Sequence, residues 1–95
     1  MSEVSEGRFS AVVTDIRLES REGETVRWRM TLDRTNFTVD DTGVLEAVSR
    51  TGTRLEVPVL GVIVEDGDTW HIVEKPLAAG TDVVGRVARE TSLGL

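Results

Sequence analysis

The sequence predicts a mainly β fold, a small antiparallel barrel or sandwich of six to seven strands with one short helix. Three observations lead there. Apolar and polar residues alternate with a period of two from Thr25 to Arg34, the signature of a strand with one buried and one wet face. Further β-rich runs follow at short intervals, separated by Gly, Pro and Asp, as in sandwiches and barrels. The pair Asp66-Gly67 stands between two of those runs, a strong hairpin signal. An α+β arrangement is the alternative.

The chain has 95 residues, enough for one domain. A chain of this length buries roughly two-thirds of the surface it exposes when unfolded, so one modest core suffices. The expected layout is a polar lead over 1–7, a single β-rich domain over 8–88 and a loose tail over 89–95.

The first strand, Arg8 to Glu19, has two phases. Phe9, Ala11 and Val13 share one face, whereas Val12, Thr14, Ile16 and Leu18 share the other. Such a switch calls for a bulge or a bend from one sheet face to another. Ser20 to Glu24 reads as a hairpin loop, with Gly23 available for a positive φ. In the second strand, Thr25 to Arg34, the even-numbered Val26, Trp28, Met30 and Leu32 point inward, leaving Arg27 and Arg29 outside. Thr35 to Val39 reads as a short third strand.

Val44, Leu45 and Val48 then fall at helical spacing between Asp41-Thr42, which would cap an N-terminus, and Gly52, which would end a helix. The expectation is one short helix. Thr53 to Glu65 is a long apolar run broken by Pro58. Proline cannot donate to a ladder, so Pro58 belongs at an edge or at a corner between two strands. Thr69 to Glu74 forms the next strand, Lys75 to Gly80 a loop, and Asp82 to Ala88 the last strand. Gly85 lies in it where a bend or a close approach is expected. A strand–strand–strand–helix–strand–strand order is also that of an OB-type barrel, a likeness of fold that carries no function with it.

Composition narrows the chemistry. The chain has no cysteine, which excludes disulfides, iron–sulfur clusters, cysteine zinc sites and thiol nucleophiles. Reduced surroundings fit, and a cytoplasmic location is the expectation. Met1 to Arg8 contains no apolar stretch and no 18-residue apolar run exists, so neither a secretory signal nor a membrane helix is expected. The net charge is −6, and residues 35–95 hold ten acids against five bases. That field repels polyanions and counts against nucleic acid. Ten of the eleven basic residues are arginine, a bias expected of GC-rich coding. Together with the acidic surplus it also fits a halophilic protein, whose salt would screen such repulsion.

Three groups of residues are candidate sites. Arg27 and Arg29 on the wet face, joined by Arg34, suit the bidentate binding of phosphate or carboxylate. A nucleic-acid module would add an aromatic stacking platform, but the chain has only four aromatics and needs them in its core. His71, the one histidine, titrates near neutral pH and would serve as a base if an orienting acid and a nucleophile converged on it. Asp66 and Asp68 would begin a site for a hard cation, which wants six to eight oxygens, though a turn accounts for them equally. No cofactor is implied.

The leading functional expectation is a non-enzymatic β-module for protein association, with a protein partner or a second copy meeting an exposed strand edge. An OB-type nucleic-acid module using the arginine face is second. A small-ligand barrel or enzyme around His71 is third.

Overall fold

The computed structural model describes residues 8–49 and 51–88; the expected lead and tail lie outside the described residues. The fold is mainly β. Seven strands occur in the order β1 (Arg8–Glu22), β2 (Thr25–Leu32), β3 (Gly43–Val48), β4 (Arg54–Val59), β5 (Gly61–Glu65), β6 (Asp68–Val73) and β7 (Asp82–Val87). They form one antiparallel sheet with the spatial order β4-β3-β7-β1-β2-β6-β5. The ladder does not close into a barrel. Its two outermost strands, β4 and β5, are consecutive in the chain and joined through Leu60, yet they do not pair.

The sheet folds about β1. Arg8 to Val12 pair with β7, and Val13 to Glu22 pair with β2. Between these two halves, at Val13/Asp15, the register slips. The slip produces the change of phase seen in the sequence: Phe9, Ala11 and Val13 face the core before it, and Ile16 faces the core after it. A bend in mid-strand exposes backbone groups that need new partners, and each finds one nearby. Val12 N–H donates to Asp33 Oδ1 at 2.9 Å, and Asp33 N–H donates to the Val12 carbonyl at 3.0 Å. Val13 exchanges bonds with the loop before β7, its N–H donating to Thr81 O at 2.9 Å and its carbonyl accepting from Gly80 N–H at 2.7 Å. A second slip, at Leu18/Ser20, adds twist near the β1–β2 turn.

The core lies between the two halves. Cross-strand rows such as Ala11–Val83–Ala47 supply one side, and Met30, Val62 and Val73 the other. Two loop residues, Phe37 and Leu77, fill the middle. Trp28 packs against this cluster, on the opposite side of β2 from Arg27 and Arg29.

Four expectations need correction. The short helix does not exist, since residues 43–48 are strand β3. The apparent helical spacing comes from only three apolar residues. Val44 and Val48 are β-branched, and pairing on both sides, with β4 and with β7, overrides so weak a local signal. The OB-type order goes with the helix. Asp41 caps no helix either; its carboxylate closes a turn by accepting from Thr38 N–H and Thr38 Oγ–H at 2.8 and 2.9 Å. Finally, Thr35 to Val39 is not a strand but a crossing segment. It carries Phe37 into the core rather than offering its backbone to a neighbour.

Pro58 sits within β4, an outermost strand, as its missing N–H requires. Gly85 marks a close approach. A methyl group built there would lie 2.5 Å from Phe9 Cζ and 2.6 Å from Phe9 Cε1, so the aromatic ring occupies the space that a side chain would take. Gly85→Ala must displace the Phe9 ring and should cost about 1–3 kcal/mol. Gly61→Ala, where nothing lies within 4 Å, should be neutral or gain up to about 1 kcal/mol. Urea denaturation of the two variants reads the contrast, and equal stabilities would contradict the packing of Phe9.

Candidate functional site

The outer face of the β1–β2–β6–β5 half carries the charged candidates. Arg17 on β1 stands directly opposite Arg29 on β2. Like charges so placed repel, and the structure offsets the repulsion in two ways. Trp70 of β6 lies under both guanidinium groups, with its ring centroid 4.6 Å from Arg29 Cζ and 5.2 Å from Arg17 Cζ. Each guanidinium also meets carboxylates. Arg29 Nη1 donates to Glu65 at 2.6 Å, and its Nε lies 3.6 Å from Glu19. That separation is too long for a hydrogen bond and leaves this Nε as a buried donor without one. Arg17 bonds Asp15 at 3.2 Å. Trp70 is thereby 4% exposed although it faces away from the main core. The sheet has a second small packing centre on its outside, made of one indole and two arginine stems.

Arg27 stands apart from this cluster and pairs with Glu74 at 3.5 Å, both side chains about half exposed. Arg34 follows the end of β2 and pairs with no carboxylate among the described residues. It lines a polar groove of about 330 Å3 together with Arg17, Thr14, Thr31 and Asp68. Thr14 and Thr31 share a hydrogen bond of 2.7 Å along its wall. Of the residues singled out from sequence, the structure brings Arg34 and Asp68 to one groove. Arg27, Asp66 and His71 lie elsewhere.

Asp66 adopts φ 55° and Gly67 φ 84°. Positive values at both central positions define the tight two-residue turn that joins β5 to β6, so Asp66 serves backbone geometry. Among the described residues no group of three or more His, Cys, Asp or Glu side chains converges in a way that could hold a metal ion. No helix among them is long and apolar enough to cross a membrane.

His71 is fully buried. Its Nδ1 lies 2.9 Å from the Met30 carbonyl, which can only accept, so Nδ1 carries the proton. Its Nε2 lies 2.9 Å from Thr35 Oγ1, which in turn accepts from Phe37 N–H at 3.0 Å. The Thr35 hydroxyl therefore donates to Nε2, and both ring nitrogens of a neutral imidazole are satisfied. The Phe37 ring, at 86° to the imidazole plane, completes the enclosure at a centroid distance of 5.2 Å. Burial holds the His71 pKa below its ordinary value of 6.5, and the Met30 carbonyl, which favours the protonated ring, offsets part of that effect. This histidine ties β2, β6 and the crossing segment together. Neither nitrogen is left to meet a substrate.

Sequence reasoning missed the stack of Arg17, Trp70 and Arg29. Its members come from three strands, and only the adjacency of β2 and β6 unites them. The odd-numbered phase of Arg17 and Arg29, shared with the bulge-shifted half of β1, was the available signal. The chain matches no protein-family model, no curated protein and no solved structure.

Two outcomes follow. Unfolded His71 gains a proton near pH 6.5, while the folded protein resists protonation to lower pH. The unfolded state then binds more protons, so stability falls as pH drops below 6.5 and levels off beneath the folded pKa, with a slope of up to about 1.4 kcal/mol per pH unit. The difference between the native protein and His71→Gln, followed by urea denaturation from pH 7.5 to 5, isolates that slope. Arg29→Ala removes both the stack and the Glu65 bond and should cost about 1–2 kcal/mol, with a red shift of tryptophan emission as Trp70 meets water.

Proposed function

We propose that this domain is a non-enzymatic module for protein association, and that the free edge of β5 is the surface by which it meets a second copy. The carrying observation is a difference between the two outermost strands. On β4, Pro58 lacks an N–H, Arg54 and Glu56 are charged, and Lys75 Nζ donates to the Glu56 carbonyl at 3.4 Å. Proline and lysine are the usual means by which an edge is guarded. On β5, Glu65 and Asp68 flank the two-residue turn, so the alternate residues Val62 and Val64 point their backbone groups away from β6. The Val62 carbonyl accepts from Asp40 N–H at 3.4 Å. Val64 keeps both groups free among the described residues, and β5 itself holds no charge or proline before Glu65, while Asp40 meets the edge only at Val62.

Apolar side chains flank that edge. Val64 is 54% exposed, Val39 52% and Leu60 43%. Burying the remaining half of each contributes about 1 kcal/mol apiece. Association costs at least about 4 kcal/mol in lost freedom, so a dimer made here is weak and depends on added main-chain bonds.

This reading is preferred to nucleic-acid binding because Arg17, Arg27 and Arg29 already pair with carboxylates and Trp70 is covered. It is preferred to catalysis at His71 because both imidazole nitrogens are engaged. Sedimentation velocity over a concentration series tests it. The apparent mass should rise from 10.4 kDa towards twice that value, with a Kd of about 10 μM to 1 mM. Val64→Lys should hold the protein at the monomer mass with an unchanged circular dichroism spectrum. A single monomeric species at every concentration would remove self-association at this edge.

A further inference from the structure

The β5 edge offers few backbone groups, and that scarcity fixes how two copies can share it. The tight turn at Asp66-Gly67 makes Glu65 and Asp68 the pair that closes the hairpin. Gly61, Ile63 and Glu65 therefore give their backbone groups to β6, and Val62 and Val64 turn theirs outward. The Val62 carbonyl already accepts from Asp40 N–H, so the segment that ends in Asp40 stands against the edge at that point. Val64 has both its N–H and its carbonyl free.

Two identical edges related by a two-fold axis present the same residues to each other. In an antiparallel pair, outward-pointing residues must face outward-pointing residues. The axis then passes through a residue and not between two, which leaves Val62, Ile63, Val64 and Glu65. An axis at Val62 or Ile63 lays the partner strand across the place that Asp40 holds and asks the Val62 carbonyl for a second bond. An axis at Glu65 sets two carboxylates directly opposite each other, where like charges repel.

We propose, on the footing that β5 is the edge of self-association, that two copies pair antiparallel with the two-fold axis at Val64. The two Val64 residues then exchange both hydrogen bonds, using only groups that are free in the monomer. Their side chains, each 54% exposed, meet across the axis. On the opposite face Ile63, 37% exposed, lies against Glu65 of the second copy. The incoming strand ends opposite Ile63, one residue short of the Asp40 contact, and its turn leads away towards its own β6. Pairing through so few groups is in keeping with a weak dimer.

Disulfide trapping reads the register, because the chain has no cysteine of its own. In Val64→Cys the substituted positions stand about 5.5 Å apart between Cα atoms, inside the span of about 4.4–6.8 Å that a disulfide bridges. In Ile63→Cys the two positions are offset along the strands and lie about 8 Å apart, beyond that span. Val48→Cys, at a half-exposed position of β3, reports random collision. Mild oxidation at high salt screens the repulsion between two chains of charge −6. Val64→Cys should then link at least about tenfold faster than either other variant, with circular dichroism matching the native chain. In the unsubstituted protein, the Val64 amide should exchange more slowly with solvent as concentration rises. Linking of Ile63→Cys as fast as Val64→Cys, or faster, would overturn the register and leave association at β5 standing. Collision-level linking of both variants and an unchanged Val64 amide, with the native chain still dimeric in sedimentation, would move the contact away from β5. The same result with a monomeric native chain would remove self-association itself.

Discussion

A single strand must serve two half-sheets that face each other, and so it must turn its apolar side chains from one parity to the other partway along. This is the physical demand that β1 meets at the register slip between Val13 and Asp15. Side chains alternate along a strand, so without the slip either Phe9 and Ala11 or Ile16 would be driven to the solvent face. The slip leaves backbone groups out of the ladder, and buried groups of that kind cost about 1–3 kcal/mol each when unmet. Asp33, Gly80 and Thr81 meet them. The chain leaving β2 and the loop entering β7 are thus fixed in place by the needs of the bend. The groove walled by Asp33-Arg34 is a by-product of the same repair.

Two polar arrangements stiffen the halves, and their chemistry is opposite. Inside, His71 is neutral, dry and fully bonded, joining β6 to β2 and to the segment that bears Phe37. Outside, Arg17 and Arg29 keep their charge and share one indole and three carboxylates. The buried site disfavours charge, because desolvation in the core penalises it. The outer one accepts charge, because water still reaches the guanidinium edges while the indole covers a face. The arginine face therefore spends its binding capacity on its own sheet, where three carboxylates meet two guanidinium groups.

Association is then left to the places where the sheet is not self-sufficient. One is a strand edge with few guards, and the other is an apolar depression over β1, β7 and β3 whose rim carries acids and arginines alike. Both are modest in area, consistent with weak contacts in which charge and main-chain pairing set the geometry and apolar burial supplies a small surplus. The acidic balance of residues 35–95 falls largely on the β5–β6 hairpin, with Glu65, Asp66 and Asp68, and on the turn at Asp40-Asp41.

The period-two pattern of Val26 to Leu32, the Asp66-Gly67 turn, the edge placement of Pro58 and the crowding at Gly85 were all legible, because each depends on a residue and its immediate neighbours. The double phase of Phe9–Leu18 likewise announced a bend. The short apolar stretch Val44–Val48 misled, because three residues cannot distinguish a helical from an extended period and the decision was made by pairing with β4 and β7. The partners of Arg29, the cover over Trp70 and the enclosure of His71 were hidden for a related reason. They join positions up to 53 residues apart, as between Arg17 and Trp70. Local spacing thus fixed the character and facing of most strands, whereas strand order, set by how the whole apolar surface can be buried at once, decided which side chains met.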